Sequence, residues 1–252
     1  MKPKILGLIG YPLTHSFSKQ YFTEKFRKEG VTDYVYRNFE LSDINFFPEL
    51  LKTHPDIAGL NVTIPYKEKI LDFVDELSPE VAAIGATNTL VIHPVSKKIT
   101  AYNTDIYGFK QSLLPCLKPE HHRALILGTG GAAKAVAYTL RQLNIDAVMV
   151  SRQPKNATQL SYTDLNEKIV KSHLLVVNTT PLGQFPEVEK RPAFPYDFIT
   201  GKHLFYDLIY NPAKTTFLQI AENQGAIVCN GLNMLQLQAE KAWRIWTKQS
   251  AL

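Results

Sequence analysis

Apolar residues recur along this chain with two different periods. Short apolar or alternating runs read as strands at residues 5–9, 34–39, 59–63, 90–92 and 99–102. Between them, helical spacing predicts a helix from Ser18 that carries Tyr21, Phe22 and Phe26, and further helices over 44–51 and 68–77. Gly10-Tyr11-Pro12 makes a turn, Pro65 stops the third strand, and residues 93–98 connect a hairpin. After Asp105 an apolar helix leads to a break at Lys118-Pro119-Glu120-His121-His122, where the pattern restarts. From there it runs strand 123–128, glycine turn, Ala-rich helix, then strands 147–151, 174–178, 204–207 and 226–229, separated by helical stretches. Five such strands predict a doubly wound parallel sheet. The last stretch, 234–246, is amphipathic through Leu235, Leu237, Ala242 and Trp246, and is expected to pack back on the first unit. The expectation is an α/β chain of two domains, 1–105 joined by 235–252, and 106–234.

Composition narrows the class. With 45% hydrophobic and 20% charged residues, the chain has enough apolar material for a buried core. Its longest apolar runs, such as 124–127 and 174–177, fall far below the roughly 18 residues of a membrane span, so no membrane partner is expected. Met1-Lys2-Pro3-Lys4 passes straight into a strand without a signal-peptide pattern, which predicts a cytoplasmic protein. Cys116 and Cys229 have no metal-ligand spacing and are expected to remain thiols. The net charge of +5 comes from scattered Lys and Arg rather than a dense run, which argues against nucleic acid and suits small anionic ligands.

The glycine turn carries the first chemistry. Gly128-Thr129-Gly130-Gly131-Ala132 follows a buried strand and opens a helix, so a phosphate there meets backbone N–H groups and the positive helix end. A ligand-free turn or a methyltransferase fits the glycines alone. NAD enzymes usually carry Asp or Glu at the end of the next strand. Here that end reads Ser151-Arg152-Gln153-Pro154-Lys155, and Asp146 precedes the strand. Arg152 and Lys155 suit a ribose 2′-phosphate and favour NADP.

Polar clusters mark the strand ends of the first unit: Ser16 and Ser18, Asn61-Val62-Thr63-Ile64-Pro65-Tyr66-Lys67, Thr87-Asn88-Thr89 and Asn103-Thr104-Asp105. Singly, each has a plain reading, Ser18 as a helix cap and Asn88 as a turn former. Together, and in this order before the glycine turn, they resemble the shikimate dehydrogenase family. Further matches are Asn178-Thr179-Thr180-Pro181-Leu182-Gly183, Tyr206-Asp207-Leu208-Ile209-Tyr210-Asn211-Pro212, and the segment from Gly231 to Gln238. Departures are Lys19-Gln20-Tyr21-Phe22 in place of the family's usual Pro and His-Asn, and Ser151 in place of a frequent Asn.

The resemblance implies an N-terminal substrate-binding domain, a Rossmann-type NADP-binding domain, and NADPH-dependent reduction of 3-dehydroshikimate to shikimate in aromatic amino acid (chorismate) biosynthesis. It places Ser16, Ser18 and Tyr210 near the substrate carboxylate, and Thr63, Asn88 and Gln238 with the catalytic pair Lys67 and Asp105 around the ring hydroxyls. Gly128, Thr129, Gly130, Gly131, Ala132, Ser151, Arg152 and Lys155 would hold the cofactor, with Leu208, Gly231 and Met234 near the nicotinamide. An ammonium can protonate the oxygen that gains charge, and Asp105 would hold it. No metal is implied, because the cofactor carries the redox chemistry. A quinate/shikimate dehydrogenase using NAD or both cofactors, and a non-catalytic sensor of such ligands, are the rival readings; a monomer or a homodimer is expected.

Overall fold

Every residue of the first strand beyond Lys4 is buried, so β1 (Lys4–Gly10) lies inside its sheet. In the computed structural model, which describes residues 2–13 and 17–249, the chain divides into two units: Met1–Thr104 with Ala239–Leu252, and Asp105–Gln238. The first continues with α1 (Phe17–Glu29), β2 (Tyr34–Glu40), α2 (Phe47–Thr53), β3 (Ile57–Val62), β4 (Glu76–Leu77), α3 (Pro79–Ile84), β5 (Thr89–Ile92) and β6 (Ile99–Tyr102). Its sheet runs β2-β1-β3-β5-β6-β4. β1 is parallel to β2 and β3, whereas β5 is antiparallel to β3 and β6. One apolar cluster gathers Ile9, Leu60, Ile70 and Leu90; a second joins Leu6, Phe22 and Phe26 to Ala239, Ala242 and Trp246. Trp246 is held there by its Nε1–H, which donates to the Leu90 carbonyl at 2.9 Å. Its burial, at 2% exposure, contributes about 2–3 kcal/mol.

Two elements differ from expectation. Residues 68–77 form a 3₁₀ turn, Lys69–Phe73, followed by the short β4. Asp75 decides this: its N–H donates to Ile99 O and its carboxylate accepts the Ile99 N–H, both as cross-strand bonds that a helix would forfeit. The 44–51 helix is likewise split, because Asp43 caps a 3₁₀ turn at Ile44–Phe46 and Pro48 then starts α2.

The second unit comprises α4 (Asp105–Leu113), β7 (Arg123–Leu127), α5 (Gly131–Gln142), β8 (Asp146–Ser151), β9 (Gln159–Ser161), α6 (Glu167–Ser172), β10 (Leu175–Asn178), β11 (Leu204–Asp207), α7 (Thr216–Asn223), β12 (Ile227–Cys229) and the first part of α8 (Leu232–Gln249), which ends in the first unit. All six strands are parallel, in the order β12-β11-β10-β7-β8-β9. That is the Rossmann order, with one strand more than expected: β9 is short and partly polar, so it gives no apolar run. The order reverses between β7 and β10, and ligands of such sheets bind beyond the carboxyl ends of the strands at that reversal. Among the described residues no helix is long and apolar enough to cross a membrane.

Candidate active site

In the first unit, polar side chains replace apolar ones where β3, β5 and β6 meet the loops. Asn61 is buried inside β3, where alternation would put an apolar residue. It is fully engaged: its Oδ1 accepts from the Tyr36 hydroxyl at 2.7 Å, and its Nδ2 donates to Asn88 O at 3.2 Å and Thr89 Oγ1 at 3.3 Å. The Ser18 hydroxyl reaches the same Tyr36 oxygen. Burial raises the Tyr36 pKa, so its phenol stays protonated and donates. Asn88 is fixed by its own side-chain carbonyl, which accepts from Thr104 N at 2.7 Å, Thr89 Oγ1 at 3.0 Å and Thr104 Oγ1 at 3.1 Å. Three donors on one face of the amide set the direction of its Nδ2. Lys67 stands half-buried in the loop after β3, and its backbone carbonyl accepts from Thr87 N at 2.8 Å. Thr63 is tied to the end of β1 through its N–H and the Ile9 carbonyl. Ser16 lies outside the described residues.

In the second unit the glycine turn joins β7 to α5. Gly128 has φ +117, and a Cβ there would come within 2.5 Å of Thr179 Oγ1, so both backbone conformation and space require glycine. Gly130 takes the N-cap position with no side-chain cap, and α5 has no acidic residue in its first turn. A Cβ on Gly130 would meet nothing within 4 Å, so the space above the turn is open. Uncapped N–H groups, a positive helix end and open space fit a dinucleotide pyrophosphate. Gly128 N donates to Val150 O, which sets the turn beside the end of β8. There the Ser151 hydroxyl closes a local turn with Gln153, and Arg152 and Lys155 are exposed. Asp146 is the first residue of β8, at the opposite edge. Ser151 thus ends the strand next to the glycine turn, and Arg152 and Lys155 lie beyond its carboxyl end, as a 2′-phosphate would require.

A buried polar network braces the loops at the other side of the reversal. Asn178 ends β10 and Asp207 ends β11. Asp207 Oδ1 accepts from Asn178 Nδ2 and Ile209 N, each at 3.0 Å, and its Oδ2 accepts from Thr215 Oγ1 at 2.6 Å. Asn178 Oδ1 accepts in turn from Thr180 N and Oγ1. Burial pushes the Asp207 carboxyl up to about 6, although each of these hydrogen bonds pulls it down. The network holds Leu208, Ile209 and Tyr210 in place. Burial raises the Tyr210 pKa, which keeps that phenol a donor for an anion.

Leu208, Gly231 and Met234 come together: a Cβ on Gly231 would run into the Leu208 carbonyl, and Met234 packs in the same apolar cluster as Leu208. Gly108 of α4 lies against Met234 O and Gln238 Cβ. Asp105 lies one turn earlier on α4, buried at its first position, and Gln238 is buried on α8. Ser18, Thr63, Lys67 and Asn88 therefore belong to the first unit, and Asp105, Tyr210 and Gln238 to the second. Tyr36, Asn61, Thr104, Asn178 and Asp207 carried no expected role. Asn61 and Asp207 had a signal, since each is a polar residue placed in or at the end of a buried strand; Tyr36 reads as an ordinary strand aromatic.

Residues 8–90 match the family model of the shikimate dehydrogenase substrate binding domain. The chain is 40% identical to the shikimate dehydrogenase (NADP(+)) of Caldicellulosiruptor saccharolyticus, covering 96% of this chain and 92% of that one. Among solved structures, it is similar to the Thermus thermophilus shikimate 5-dehydrogenase in complex with NADP(H) and shikimate, at TM-score 0.85 and 29% identity over 97% and 94% of the two chains. It is also similar to the Corynebacterium glutamicum quinate dehydrogenase in complex with NAD, at TM-score 0.86 and 26% identity over 98% and 95%. A relative at this identity over nearly the full length, on the Rossmann order and glycine turn described above, settles the family: the chain belongs to the shikimate dehydrogenases.

Proposed function

We infer that this chain catalyses the reversible NADPH-dependent reduction of 3-dehydroshikimate to shikimate, a step of aromatic amino acid biosynthesis. The observation that carries this reading is the 40% identity, across 96% of the chain, to a protein named shikimate dehydrogenase (NADP(+)). The strand end that meets the adenosine ribose supports the cofactor: Arg152 and Lys155 stand there, with no carboxylate to repel a 2′-phosphate. The enzyme acts in the cytoplasm on small molecules, as a monomer or homodimer.

NADPH supplies the hydride when bound. The residues of the chain do the rest. Gly128, Thr129, Gly130, Gly131 and Ala132 offer backbone N–H groups to the pyrophosphate, and Ser151, Arg152 and Lys155 bind the 2′-phosphate. Leu208, Gly231 and Met234 form the apolar wall for the nicotinamide. Ser16, Ser18 and Tyr210 hold the substrate carboxylate, and Thr63, Asn88 and Gln238 orient the ring by its hydroxyls. Lys67 Nζ gives a proton to the oxygen that gains charge and takes it back in the reverse direction; Asp105 completes the acid–base pair.

Following reduced-nicotinamide absorbance with purified chain and shikimate tests this. Rapid reduction of NADP, with NAD or quinate far slower, is the expected result. Preference for NAD or quinate would instead make the chain a quinate/shikimate dehydrogenase, and saturable binding without turnover would make it a sensor.

A further inference from the structure

The chain's two cysteines, Cys116 and Cys229, are 113 residues apart in sequence yet have their Sγ atoms 2.7 Å apart in the second unit. Cys116 ends the 3₁₀ turn Leu114–Cys116 that follows α4, and Cys229 is the last residue of β12. The segments that carry them are held in register beside the thiols. Cys229 pairs with Tyr206 across the β11–β12 ladder, and the Tyr206 hydroxyl bonds Ser112 Oγ at 2.6 Å, four residues before Cys116. Both thiols are half-buried against the apolar cluster that contains Phe109, Tyr206 and Met234. Backbone and packing have thus already brought the pair together, and a disulfide bond of about 2.05 Å would draw the sulfurs closer still.

We propose that Cys116 and Cys229 are an intrachain oxidation site, which takes up a low-molecular-weight disulfide such as oxidised glutathione and becomes a cystine that locks β12 to the segment after α4. Either thiol can open the exchange and the other completes it, as when Cys116 leads. Burial and the neighbouring thiol push the Cys229 pKa up, which slows attack by that thiol. Cys116 Sγ attacks one sulfur of the oxidant, whose S–S bond breaks and releases one thiol. Cys229 Sγ then attacks the Cys116 sulfur of the mixed disulfide, forming the intrachain bond and releasing the second thiol. The two protons lost from the cysteines end on the two released thiols, and the two electrons reduce the oxidant.

The bond closes a long loop, so it restricts the unfolded chain strongly. Incubating the full chain with oxidised glutathione, followed by thiol titration, peptide mapping without reductant and thermal unfolding, tests the proposal. Both thiols are expected to disappear, a peptide joining residues 116 and 229 to appear, and Tm to rise by about 5 °C or more, all reversed by dithiothreitol. The variants Cys116→Ser and Cys229→Ser should show neither the linked peptide nor the rise. Persistence of both thiols, glutathione adducts alone, or links only between chains would each overturn it.

Discussion

Asn178 and Asp207 face each other across the ends of two parallel strands, and the Asn178 amide donates to Asp207 Oδ1 at 3.0 Å. Through this contact one buried carboxylate governs two loops, because Thr180 hangs from Asn178 while Ile209 N and Thr215 hang from Asp207. Leu208 and Tyr210, proposed to face nicotinamide and substrate, flank one of those anchored positions.

Burying Asp207 has a signed consequence for stability. Its folded pKa of about 6 lies above the roughly 3.9 of an exposed aspartate, so between these values the folded state binds more protons than the unfolded one. Stability from this group is therefore present at low pH and falls as pH rises from about 4 to about 6, by up to about 3 kcal/mol, then levels off. The variant Asp207→Asn cannot titrate. Urea unfolding across that range should show the advantage of wild type over the variant shrinking as pH rises. A gap independent of pH would mean that Asp207 titrates as an ordinary carboxylate.

Lys67 and Asp105 are tested through turnover. If Lys67 moves the proton, Lys67→Ala lowers kcat by about 10²- to 10⁴-fold with a modest change in KM, because the lost interaction matters mainly in the transition state. Asp105→Asn should also lower kcat while cofactor binding, followed by nicotinamide fluorescence, is retained. Undiminished kcat in Lys67→Ala would exclude it as the acid–base residue.

The parts legible in the sequence are those with a single local cause. A glycine after a buried strand, such as Gly128, announces a turn because its backbone conformation and the nearby Thr179 leave no room for a side chain. The central parallel strands of the second unit, β7, β10 and β11, announce themselves as apolar runs because they are buried on both faces. What long-range partners decide was not legible. Residues 68–77 have helical spacing, yet Asp75 bonds Ile99, far along the chain. Tyr36 is an ordinary strand residue until folding brings it to Asn61 and Ser18. Cys116 and Cys229 carry no pairing signal until the strand order places them together.

Arg152 and Lys155 should set the cofactor preference. A charge-assisted contact to phosphate contributes about 1.5–3 kcal/mol, so Arg152→Ala should raise the KM for NADP by about 10- to 100-fold and leave the KM for NAD nearly unchanged. Equal losses with both cofactors would assign the arginine to adenine stacking or to general attraction instead.

Two glycines separate folding from cofactor binding. At Gly231 a methyl group would meet the Leu208 carbonyl, a backbone atom anchored through Leu208 N to Asn178 O, so the neighbour cannot swing away as a flexible side chain would. Gly231→Ala should therefore cost about 1–3 kcal/mol of stability in urea unfolding, besides disturbing the loop proposed to meet the nicotinamide. At Gly130 a methyl group meets nothing, and the backbone, with φ −77, accepts alanine. Gly130→Ala should fold with near wild-type stability yet bind NADP more weakly, because the new methyl occupies the space through which a pyrophosphate would approach the helix N-terminus. Equal NADP affinity in Gly130→Ala and wild type, measured by titration calorimetry, would mean that the phosphates do not approach that position.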